Sequence, residues 1–388
     1  MLTAVGFSTR ALVQCARREG FAVRSFDCCG DRDTRELACV AEVIDLNDLS
    51  WIKTLEPSAR VILAGGLEDS EESLDLLSRV DPTIIPDQYL QMRDWRNWRQ
   101  WAFGSGLKFP STYTIDEWRC SNVPGTAELA TTEFTKNVLH QSQRWIWKKQ
   151  RSAGGLGVRF IDSKELLEPS SLRANHSPEL GVLQEYVLGK SIGISFLSST
   201  HGTVIVGMAE SMPLQKHIWS DFIYRGSIGP VLIPDWLVSP INSFARTVVR
   251  TTGWTGLWQA DFLLTGSDLY LIEINPRWTA SMELIVNGYD LPLVTWHANC
   301  RQFGESDWKR LQAKVEGTHK ESTLKFRKEV LYAKEDSFVS IEEGEKWWGQ
   351  RWIARDCDGD GLWYADIPQV HSALTKGSPV CSEIERVV

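Results

Sequence analysis

Apolar residues in the first part of the chain form short strand-like runs and one longer helix-like run. The strand-like runs cover residues 3–6, 21–27 and 59–66, and the helix-like run covers residues 11–19, after which Gly20 ends the helix. This alternation of β and α segments predicts a parallel sheet. The amino-terminal part of the chain is therefore expected to be an α/β domain.

Parallel sheets bind their ligands beyond the carboxyl ends of their strands. The segments that follow the predicted strands here are Ser8, Thr9 and Arg10, the loop at residues 27–33, and Gly65, Gly66 and Glu68. We expect Ser8, Thr9 and Arg10 to contact a substrate anion, because exposed amides at a helix N-terminus favour negative charge. Helix capping by Ser8 and Thr9 is the structural alternative.

Farther along, the pattern predicts a helical connector, a second α/β unit and then a strand-rich region. The connector covers residues 87–112, and Pro110 favours a boundary near its end. The elements predicted after it are strands at 144–149, 158–161 and 181–187, a strand-dominated stretch at 192–275 with a helical interlude at 239–252, and strands at 324–332 and 363–367. The charged stretch at 303–322 is expected to be exposed.

A hairpin with a cluster of polar side chains stands out in the strand-rich region. Residues 257–264 and 269–275 are strand-like, and residues 265–268 between them have hairpin-turn composition. Such a hairpin places Asp261 beside the end that carries Glu273 and Asn275. Residues two apart on a strand point to the same face, so these oxygen ligands could hold Mg²⁺ against phosphates.

Arg277 follows this hairpin by two residues. Its planar guanidinium suits a carboxylate, a phosphate or an acyl phosphate. Each of these residues alone would fit a surface hairpin with scattered charges, and it is their combination that favours a metal–nucleotide site.

Two further segments fit a nucleotide site. Lys148 ends a strand just before the glycine-rich residues Gly154, Gly155 and Gly157. A lysine supplies a point charge for phosphate, and small residues let backbone amides approach the phosphate oxygens. A flexible surface loop would have the same composition.

The extended segment Gln184, Glu185, Tyr186 and Val187 could pair with the edge of an adenine base, with apolar neighbours around the ring. Ordinary pairing with a neighbouring strand is the structural alternative. The nearby Gly189-Lys-Ser191 is not a P-loop, because that motif requires glycine where this chain has Gln184.

Another segment resembles the start of a calcium-binding loop. Asp356, Asp358 and Asp360 have EF-hand spacing, but the twelfth position is Ile367 instead of a bidentate acid. A polar turn is the preferred interpretation.

Composition excludes several classes of protein. The 388 residues are 43% hydrophobic and 24% charged, which is ordinary for a globular protein of two or three domains. The net charge of −8 gives no global basic field for nucleic acid. No apolar run approaches a membrane span and no signal-like segment starts the chain, so we expect a cytoplasmic protein without a membrane partner.

Cysteine and tryptophan usage adds two expectations. The eight cysteines include no CxxC pair and have no metal-like spacing with histidine, which indicates reduced thiols. Trp95, Trp98 and Trp101 have helical spacing and predict a buried apolar stripe, with a stacking platform for a ligand ring as the alternative.

The order of these segments resembles the ATP-grasp superfamily over approximately residues 1–300. The specific element is Glu273-Ile-Asn-Pro-Arg277, twelve residues after Asp261. More narrowly, the chain is similar to a group of predicted ATP-dependent carboligases found with tetrahydromethanopterin- and methanofuran-type one-carbon carriers. The segments behind this narrower resemblance are Val5-Gly-Phe-Ser-Thr-Arg10, Phe26-Asp27 with Gly30-Asp31-Arg-Asp-Thr34, Gly65-Gly-Leu-Glu68 and Asn275-Pro-Arg-Trp-Thr-Ala-Ser281.

The resemblance implies an α/β (α+β) ATP-grasp fold with a Rossmann-like amino-terminal domain. It implies a domain at residues 1–110, a small lid subdomain at 111–187, a central catalytic subdomain at 188–310 and a carboxy-terminal extension at 311–388. The implied cofactors are ATP and Mg²⁺, with Mn²⁺ as an alternative metal. The implied partners are a small-molecule carboxylate and an amine, and a homodimer stays open.

The resemblance also assigns roles residue by residue. Lys148 would bind the α- and β-phosphates, the glycines at 154–157 would cover the β- and γ-phosphates, and residues 184–187 would hold adenine. Asp261, Glu273 and Asn275 would hold the metal, and Arg277 would steady an acyl phosphate. The implied enzyme is an ADP-forming carboxylate–amine ligase.

Several positions depart from the family pattern. Lys190 and Ser191 stand where relatives often have an acid for ribose, and Lys149 is an alternative phosphate ligand. Biotin-carboxylase-like relatives have a glutamate where this chain has Ser281, with Glu283 as the nearest acid, which argues against bicarbonate as substrate.

Rival functions are an ATP-binding regulatory or scaffold protein and an ATP-grasp carboxylase or kinase. A Rossmann dehydrogenase fails because the first turn lacks GxGxxG. Residues 224–230 are expected to form a polar loop, in which Arg225 is a candidate for binding a substrate carboxylate; a purely structural loop is the alternative.

Overall fold

The computed structural model describes residues 1–122, 144–150, 153–162, 165, 181–320, 324–353 and 361–387. The EF-hand-like aspartates at 356, 358 and 360, and Ser152 of the glycine-rich segment, lie outside these residues. The chain divides into two units. The first unit consists of Met1–Lys108, Lys190–Pro213 and Arg225–Val388, and the second unit consists of Phe109–Gly189 and Leu214–Tyr224.

The first unit begins with a four-stranded parallel sheet, as the sequence predicts. Its strands are β1 (Leu2–Gly6), β2 (Val23–Asp27), β3 (Val40–Val43) and β4 (Arg60–Leu63), in the order β3-β2-β1-β4. The helices of this part are α1 (Arg10–Arg18), α2 (Arg32–Leu37), α3 (Glu71–Val80), α4 (Pro86–Arg93) and α5 (Trp95–Gly104). β3 was not predicted, because it is short and mostly exposed.

The predicted connector is helical. Trp95, Trp98 and Trp101 are buried on α5, which confirms the apolar stripe. The Trp98 indole nitrogen donates to the carbonyl oxygen of Met92 at 2.6 Å and so ties α5 to α4.

An eight-stranded antiparallel sheet forms the centre of the first unit. Its strands are β9 (Lys190–Ser199), β10 (Gly202–Ser211), β11 (Gly226–Val231), β12 (Gly256–Thr265), β13 (Asp268–Asn275), β14 (Lys325–Tyr332), β16 (Leu362–Ala365) and β18 (Pro379–Val387). Their order is β13-β12-β9-β10-β11-β14-β18-β16. The carboxy-terminal strands thus continue the sheet that contains the predicted hairpin.

Helices cover this sheet and join it to the parallel one. They are α7 (Asp235–Thr252), α8 (Met282–Tyr289), α9 (Leu293–Asn299), α10 (Glu305–Lys320) and α11 (Ile341–Gly349), and a further two-stranded sheet pairs β15 (Ser337–Phe338) with β17 (Ala373–Leu374). One apolar core contains residues from α1, β1, α8 and α9.

The expectation that residues 303–322 are exposed is wrong for one face of α10. Trp308, Leu311 and Val315 are buried in the same core, because they recur at helical spacing on the side that faces it. Within the described residues, no helix is both long and apolar enough to cross a membrane.

The second unit contains a separate antiparallel sheet. Its strands are β5 (Thr112–Thr114), β6 (Trp145–Lys149), β7 (Val158–Ile161) and β8 (Gly181–Glu185), in the order β5-β8-β6-β7, and α6 (Ile115–Asn122) follows β5. Its core is aromatic, with Trp118, Trp145 and Trp147 packed around Leu183. The strand patterns predicted at 144–149 and 158–161 are confirmed.

Candidate functional site

The predicted hairpin is present, with the register that the polar residues require. β12 and β13 pair so that Asp261 lies opposite Glu273 and Gln259 lies opposite Asn275. Gly266, with φ of 58°, supplies the left-handed backbone of the turn. Asn275 Nδ2 donates to Asp261 Oδ2 at 2.8 Å, so the polar side chains of the two strands meet.

Gln259, two positions before Asp261 on the same face of β12, fixes the Asp261 carboxylate. Its Oε1 accepts hydrogen bonds from three hydroxyls, those of Ser195 at 3.1 Å, Thr279 at 2.6 Å and Ser281 at 2.8 Å. Because the oxygen must face these donors, the amide nitrogen faces the other way and donates to Asp261 Oδ1 at 2.7 Å. Both oxygens of Asp261 are thus held by amide groups.

Arg277 lies against the end of β4 and its loop. Its Nε donates to the buried Glu68, its Nη1 donates to the carbonyl oxygen of Trp278 at 3.1 Å, and its Nη2 donates to Asn275 Oδ1 at 3.1 Å. A Cβ added at Gly65 would stand 3.4 Å from the Arg277 guanidinium carbon. The guanidinium thus lies in van der Waals reach of position 65, where a φ of 104° favours glycine.

Arg93, at the end of α4, contacts the same group. Its Nη1 lies 2.7 Å from Glu273 Oε1 and 3.2 Å from Asn275 Oδ1, and Asp69 accepts from its Nε and Nη2 at 2.5 and 2.9 Å. We call this group the hairpin cluster. It comprises Glu68, Asp69, Arg93, Gln259, Asp261, Glu273, Asn275 and Arg277.

Electrostatics in the hairpin cluster reflect close pairing. Burial opposes the charge of Glu68, but the guanidinium groups of Arg277 and Arg93 outweigh it and hold the pKa of Glu68 below its ordinary value. Burial raises the pKa of Asp69 in spite of its pairing with Arg93. Four carboxylates against two guanidinium groups leave the ionised cluster with two net negative charges.

The donor set of the hairpin cluster suits a hard divalent cation. Among the described residues, no group of three or more His, Cys, Asp and Glu side chains is arranged to hold a metal ion. The hairpin instead brings together two carboxylates, Asp261 and Glu273, and the amide of Asn275. Mg²⁺ is commonly bound by one or two carboxylates, with waters and phosphate oxygens completing its shell. The residues present therefore fit Mg²⁺ with a phosphorylated ligand.

In the second unit, the structure brings Lys148 and the glycine-rich segment into one antiparallel pair. Lys148 on β6 lies opposite Val158 on β7, and the amide of Lys149 donates to the carbonyl oxygen of Gly157 at 3.0 Å. Gly154, Gly155 and Gly157 all have positive φ.

The glycine-rich segment also packs against residues 222–224 of the same unit. The carbonyl oxygen of Gly154 accepts from the Tyr224 amide at 2.9 Å, and a Cβ at Gly155 would meet the Phe222 carbonyl oxygen at 1.7 Å. Glycine is therefore required at 155 by this close approach as well as by its backbone angles.

More groups of the predicted adenine segment have hydrogen-bond partners within the protein than the sequence suggests. Gln184 is buried, and its Nε2 donates to the Thr112 hydroxyl at 3.0 Å. The amides of Glu185 and Tyr186 donate to the carbonyl oxygens of Ser111 and Arg144, both at 2.8 Å. β8 is thus paired on both sides through residue 185, and Val187 lies beyond this pairing.

Ser8 and Thr9, which precede α1, differ in exposure and in their contacts. Ser8 is partly exposed, whereas Thr9 is buried and its hydroxyl lies 2.9 Å from Asp27 Oδ2 and 2.7 Å from Ser25 Oγ. The Thr9 side chain does not cap α1. Thr9 therefore joins the start of α1 to the end of β2.

Arg10 is fully buried. Its guanidinium contacts Glu283 and Asp366, and its Nη1 donates to Gln14 Oε1 at 2.8 Å. Lys328 reaches Glu283 and Asp366 at 3.2 and 3.0 Å. We call these five residues the Arg10 cluster. It joins α1, α8 and the carboxy-terminal strands, so we assign Arg10 to the interior instead of to a substrate.

The expected polar loop at residues 224–230 is wrong for most of its length. Residues from Gly226 onward form β11, which pairs with β10 and β14. Arg225 precedes the strand, and its Nη2 lies 3.4 Å from Glu329 Oε1. The guanidinium is partly buried beside that carboxylate.

Three polar residues of the hairpin cluster were not predicted as site residues. Arg93 and Asp69 lie far from the hairpin in sequence, and their side chains meet it only because α4 packs against β13. Gln259 carried one signal, since it is a polar residue two positions before Asp261 on the same strand. The hydroxyls of Thr279 and Ser281 explain why the polar pattern continues beyond Arg277.

Comparison with known proteins matches the central part of the chain. A family model described as an ATP-grasp domain matches residues 106–281. The carbamoyl phosphate synthase arginine-specific large chain of Halalkalibacterium halodurans is 24% identical over 181 residues, covering 45% of this chain and 17% of that protein. The formate-dependent phosphoribosylglycinamide formyltransferase of Cronobacter sakazakii is 27% identical over 148 residues, covering 37% of each chain.

The chain thus spans well under two thirds of the length of both relatives. A solved structure, N5-carboxyaminoimidazole synthetase from Staphylococcus aureus complexed with ADP, matches with a TM-score of 0.65 and 14% identity over 100% of this chain and 92% of that one. A likeness at this level of identity shows a shared fold. Together these matches establish an ATP-grasp domain at residues 106–281, within a mixed α/β chain that has the ATP-grasp fold.

Proposed function

We propose that the protein is an ATP-dependent, ADP-forming ligase that joins a carboxylate to an amine. The observation behind this proposal is the hairpin cluster. It places two carboxylates and an amide beside an arginine that has donors to spare. Three of the five N–H donors of Arg277 have partners within the described residues. Two donors remain for an anion.

In the proposed first step, an oxygen of the substrate carboxylate attacks the γ-phosphorus of ATP. The bond from that phosphorus to the bridging oxygen of ADP breaks, and an acyl phosphate and ADP result. The two remaining donors of Arg277 would hold the carboxylate and the transferring phosphoryl group and spread the charge that develops there. Glu68 and Gly65 would keep the guanidinium in place.

In the second step, the amine attacks the carbonyl carbon, the bond from that carbon to the phosphate oxygen breaks, and phosphate leaves. The nitrogen loses its proton to solvent or a nearby base. Activation is needed because a free carboxylate does not react with amines at neutral pH. Exclusion of water would protect the acyl phosphate from hydrolysis.

Asp261, Glu273 and Asn275 would hold Mg²⁺, with Mn²⁺ as a substitute. The ion they would hold supplies positive charge that offsets the negative charge of the phosphates. In the second unit, Lys148 would bind the α- and β-phosphates, and the amides of residues 154–157 would cover the β- and γ-phosphates. Residues 184–187 would contact adenine, with Val187 lying beyond the strand pairing that already engages the amides of Glu185 and Tyr186.

The structure disfavours a bicarbonate-using carboxylase among the rival functions. Ser281 donates to Gln259, and Glu283 is fully buried between Arg10 and Lys328. Neither supplies an accessible base. A scaffold protein that had lost its chemistry would need no ordered set of metal ligands, which the hairpin cluster retains.

Several finer points belong to the same proposal. They are the division at residues 110, 187 and 310, a cytoplasmic location, a homodimer, and membership in the carboligase group associated with one-carbon carriers. An amino-acid-like amine fits this proposal. Ser8 stays a candidate substrate contact because it is partly exposed, and Arg225 stays one in spite of its pairing with Glu329.

The proposal is tested by ADP release in a screen of small carboxylates and amines. Pools of both kinds are incubated with the protein, ATP and Mg²⁺, and active pools are divided until one acid and one amine remain. We expect ADP and phosphate to form in equal amounts with the amide. Hydroxylamine in place of the amine should trap the acyl phosphate as a hydroxamate. Phosphorylation of a hydroxyl group instead would refute the ligase assignment.

A further inference from the structure

Arg93 reaches a strand that lies far away in the sequence. Its Nη1 donates to Glu273 Oε1 at 2.7 Å, to the carbonyl oxygen of Ile274 at 2.8 Å and to Asn275 Oδ1 at 3.2 Å. One nitrogen therefore contacts three consecutive residues at the end of β13. Two of the three are the proposed metal ligands of that strand, so this contact fixes both side chains relative to the backbone between them.

Arg93 is itself held from the opposite side. Asp69 accepts from Nε at 2.5 Å and from Nη2 at 2.9 Å, which is a bidentate pair. The Arg93 and Asp69 side chains are 7% and 18% exposed. Because a bidentate guanidinium–carboxylate pair is planar and directional, the Nη1 edge can face only the end of β13.

An arginine beside a metal ligand can act in two opposite ways. As a competing cation it would occupy Glu273 and weaken metal binding, and as an orienting group it would hold the ligands ready and strengthen binding. The charge of the hairpin cluster favours the second role. Counted over its eight residues in the described part of the chain, four carboxylates and two guanidinium groups leave two net negative charges with Arg93 in place, so Arg93 does not cancel the attraction for a divalent cation.

We propose that Arg93 is a positioning residue that holds Glu273 and Asn275 for the divalent metal, and that Asp69 orients Arg93. This inference rests on the proposed function of the hairpin cluster. Arg93 would touch neither nucleotide nor substrate, and it would act through Glu273 and Asn275, the proposed metal ligands on β13.

The test measures metal affinity directly, with Mn²⁺ as the probe and its electron paramagnetic resonance signal as the readout. Mn²⁺ is titrated into the full-length protein saturated with ADP, for the wild type, Arg93→Met and Arg93→Lys. Loss of an orienting partner behind a metal ligand weakens binding by about 10- to 100-fold. We expect that loss in Arg93→Met. In Arg93→Lys we expect a smaller one, because lysine keeps the charge but cannot bridge Asp69 and β13.

The two roles of Arg93 predict opposite signs for Arg93→Met. If Arg93 were a competing cation, removing its charge would tighten Mn²⁺ binding, and that result would overturn the inference. Equal affinity in Arg93→Lys and the wild type would also overturn it, because charge alone would then suffice. Circular dichroism and thermal melts check folding, and Arg96→Met serves as a matched control because that arginine side chain is 54% exposed.

Failure of the proposed function would look different. A wild-type protein that binds ADP without binding Mn²⁺ would refute the metal role of the hairpin and this inference with it. Tight Mn²⁺ binding in the wild type together with unchanged binding in both Arg93 variants would refute only the role of Arg93.

Discussion

Arg277 and Arg10 are both arginines that the sequence places beside strand ends, yet the structure uses them differently. Arg10 has all five N–H donors engaged by Gln14, Glu283 and Asp366, and its side chain is 0% exposed. Arg277 has three donors engaged, and its side chain is 13% exposed. Both are paired with a buried carboxylate whose pKa lies below its ordinary value.

The difference shows that pairing with a buried acid does not decide whether an arginine serves structure or function. What decides is how many donors remain and whether solvent can reach them. The Arg10 cluster closes on itself across α1, α8 and the carboxy-terminal strands. The hairpin cluster stays open at Arg277, and its charge leaves room for a divalent cation.

The largest expected effect comes from removing a metal ligand in the hairpin cluster. Glu273→Gln keeps an acceptor for Arg93 but loses the charge that the metal requires, so turnover should fall by about three orders of magnitude. Steady-state ADP formation with the identified substrates measures this loss, and the melting temperature should stay close to that of the wild type. Asp268→Asn is the control on the same hairpin, since Asp268 pairs with Lys108 at the turn. Undiminished turnover in Glu273→Gln would refute the site.

The next effect tests the closed character of the Arg10 cluster. Arg10→Lys keeps a positive charge but cannot serve both Glu283 and Asp366, which leaves at least one buried acceptor unsatisfied. We expect a loss of about 1–3 kcal/mol in the free energy of unfolding, measured with urea. Turnover of the folded fraction should be retained. If the variant were as stable as the wild type but inactive, Arg10 would be a substrate-binding residue and not a structural one.

The matched arginine-to-lysine change in the hairpin cluster should lower turnover and leave stability largely unchanged. Arg277→Lys keeps the pairing with Glu68 but loses the planar fork, so turnover should fall by roughly 10- to 100-fold. Affinity for ATP should change much less than turnover, and stability should change less than in Arg10→Lys. Steady-state kinetics and equilibrium titration separate the two quantities. A change in ATP affinity as large as the change in turnover would show that Arg277 contributes to ATP binding in the ground state and does not act mainly on the transition state.

The smallest effect concerns backbone exchange. Amides at residues 154–157 should exchange more slowly when an ATP analogue is added, because glycine-rich backbone loses entropy on ordering and would settle over phosphates. Amides beside the Arg10 cluster should be unaffected. One of them is the amide of Ile367, which donates to Asp33 Oδ1 at 3.2 Å. Hydrogen–deuterium exchange with mass spectrometry reports both regions in one experiment. Equal rates at residues 154–157 with and without saturating analogue would count against a covering role for this segment.

Sequence reasoning could predict what periodicity and local composition determine. The parallel sheet, the hairpin that brings Asp261 beside the Glu273–Asn275 end, and the buried tryptophan stripe follow from alternation, turn chemistry and helical spacing. The register shift between Asp261 and Phe262, which sets Asp261 opposite Glu273, does not follow from them. The placement of Arg10 could not be predicted, because its partners Glu283 and Asp366 are supplied by distant segments. The contacts of Arg93 with β13 depend on the packing of α4 in the same way.

Polar composition also misled in two places. Residues 226–230 contain two glycines and a proline, which favour a loop, but the strand is held by pairing with β10 and β14 on both sides. Residues 303–322 are rich in charge, yet one face of α10 is apolar and packs into the core. In both cases tertiary packing outweighed local composition.

We expect the hairpin cluster to bind a nucleotide through a divalent metal. Calorimetric titration of a non-hydrolysable ATP analogue, with Mg²⁺ and with EDTA, tests it most directly because no second substrate is needed. Two acids beside a triphosphate repel it without the metal. We therefore predict binding in the wild type that is much tighter with Mg²⁺ than with EDTA, and a Glu273→Gln variant in which most of that difference is lost. Identical Mg²⁺ dependence in the two proteins would show that the hairpin cluster does not bind the nucleotide through a metal.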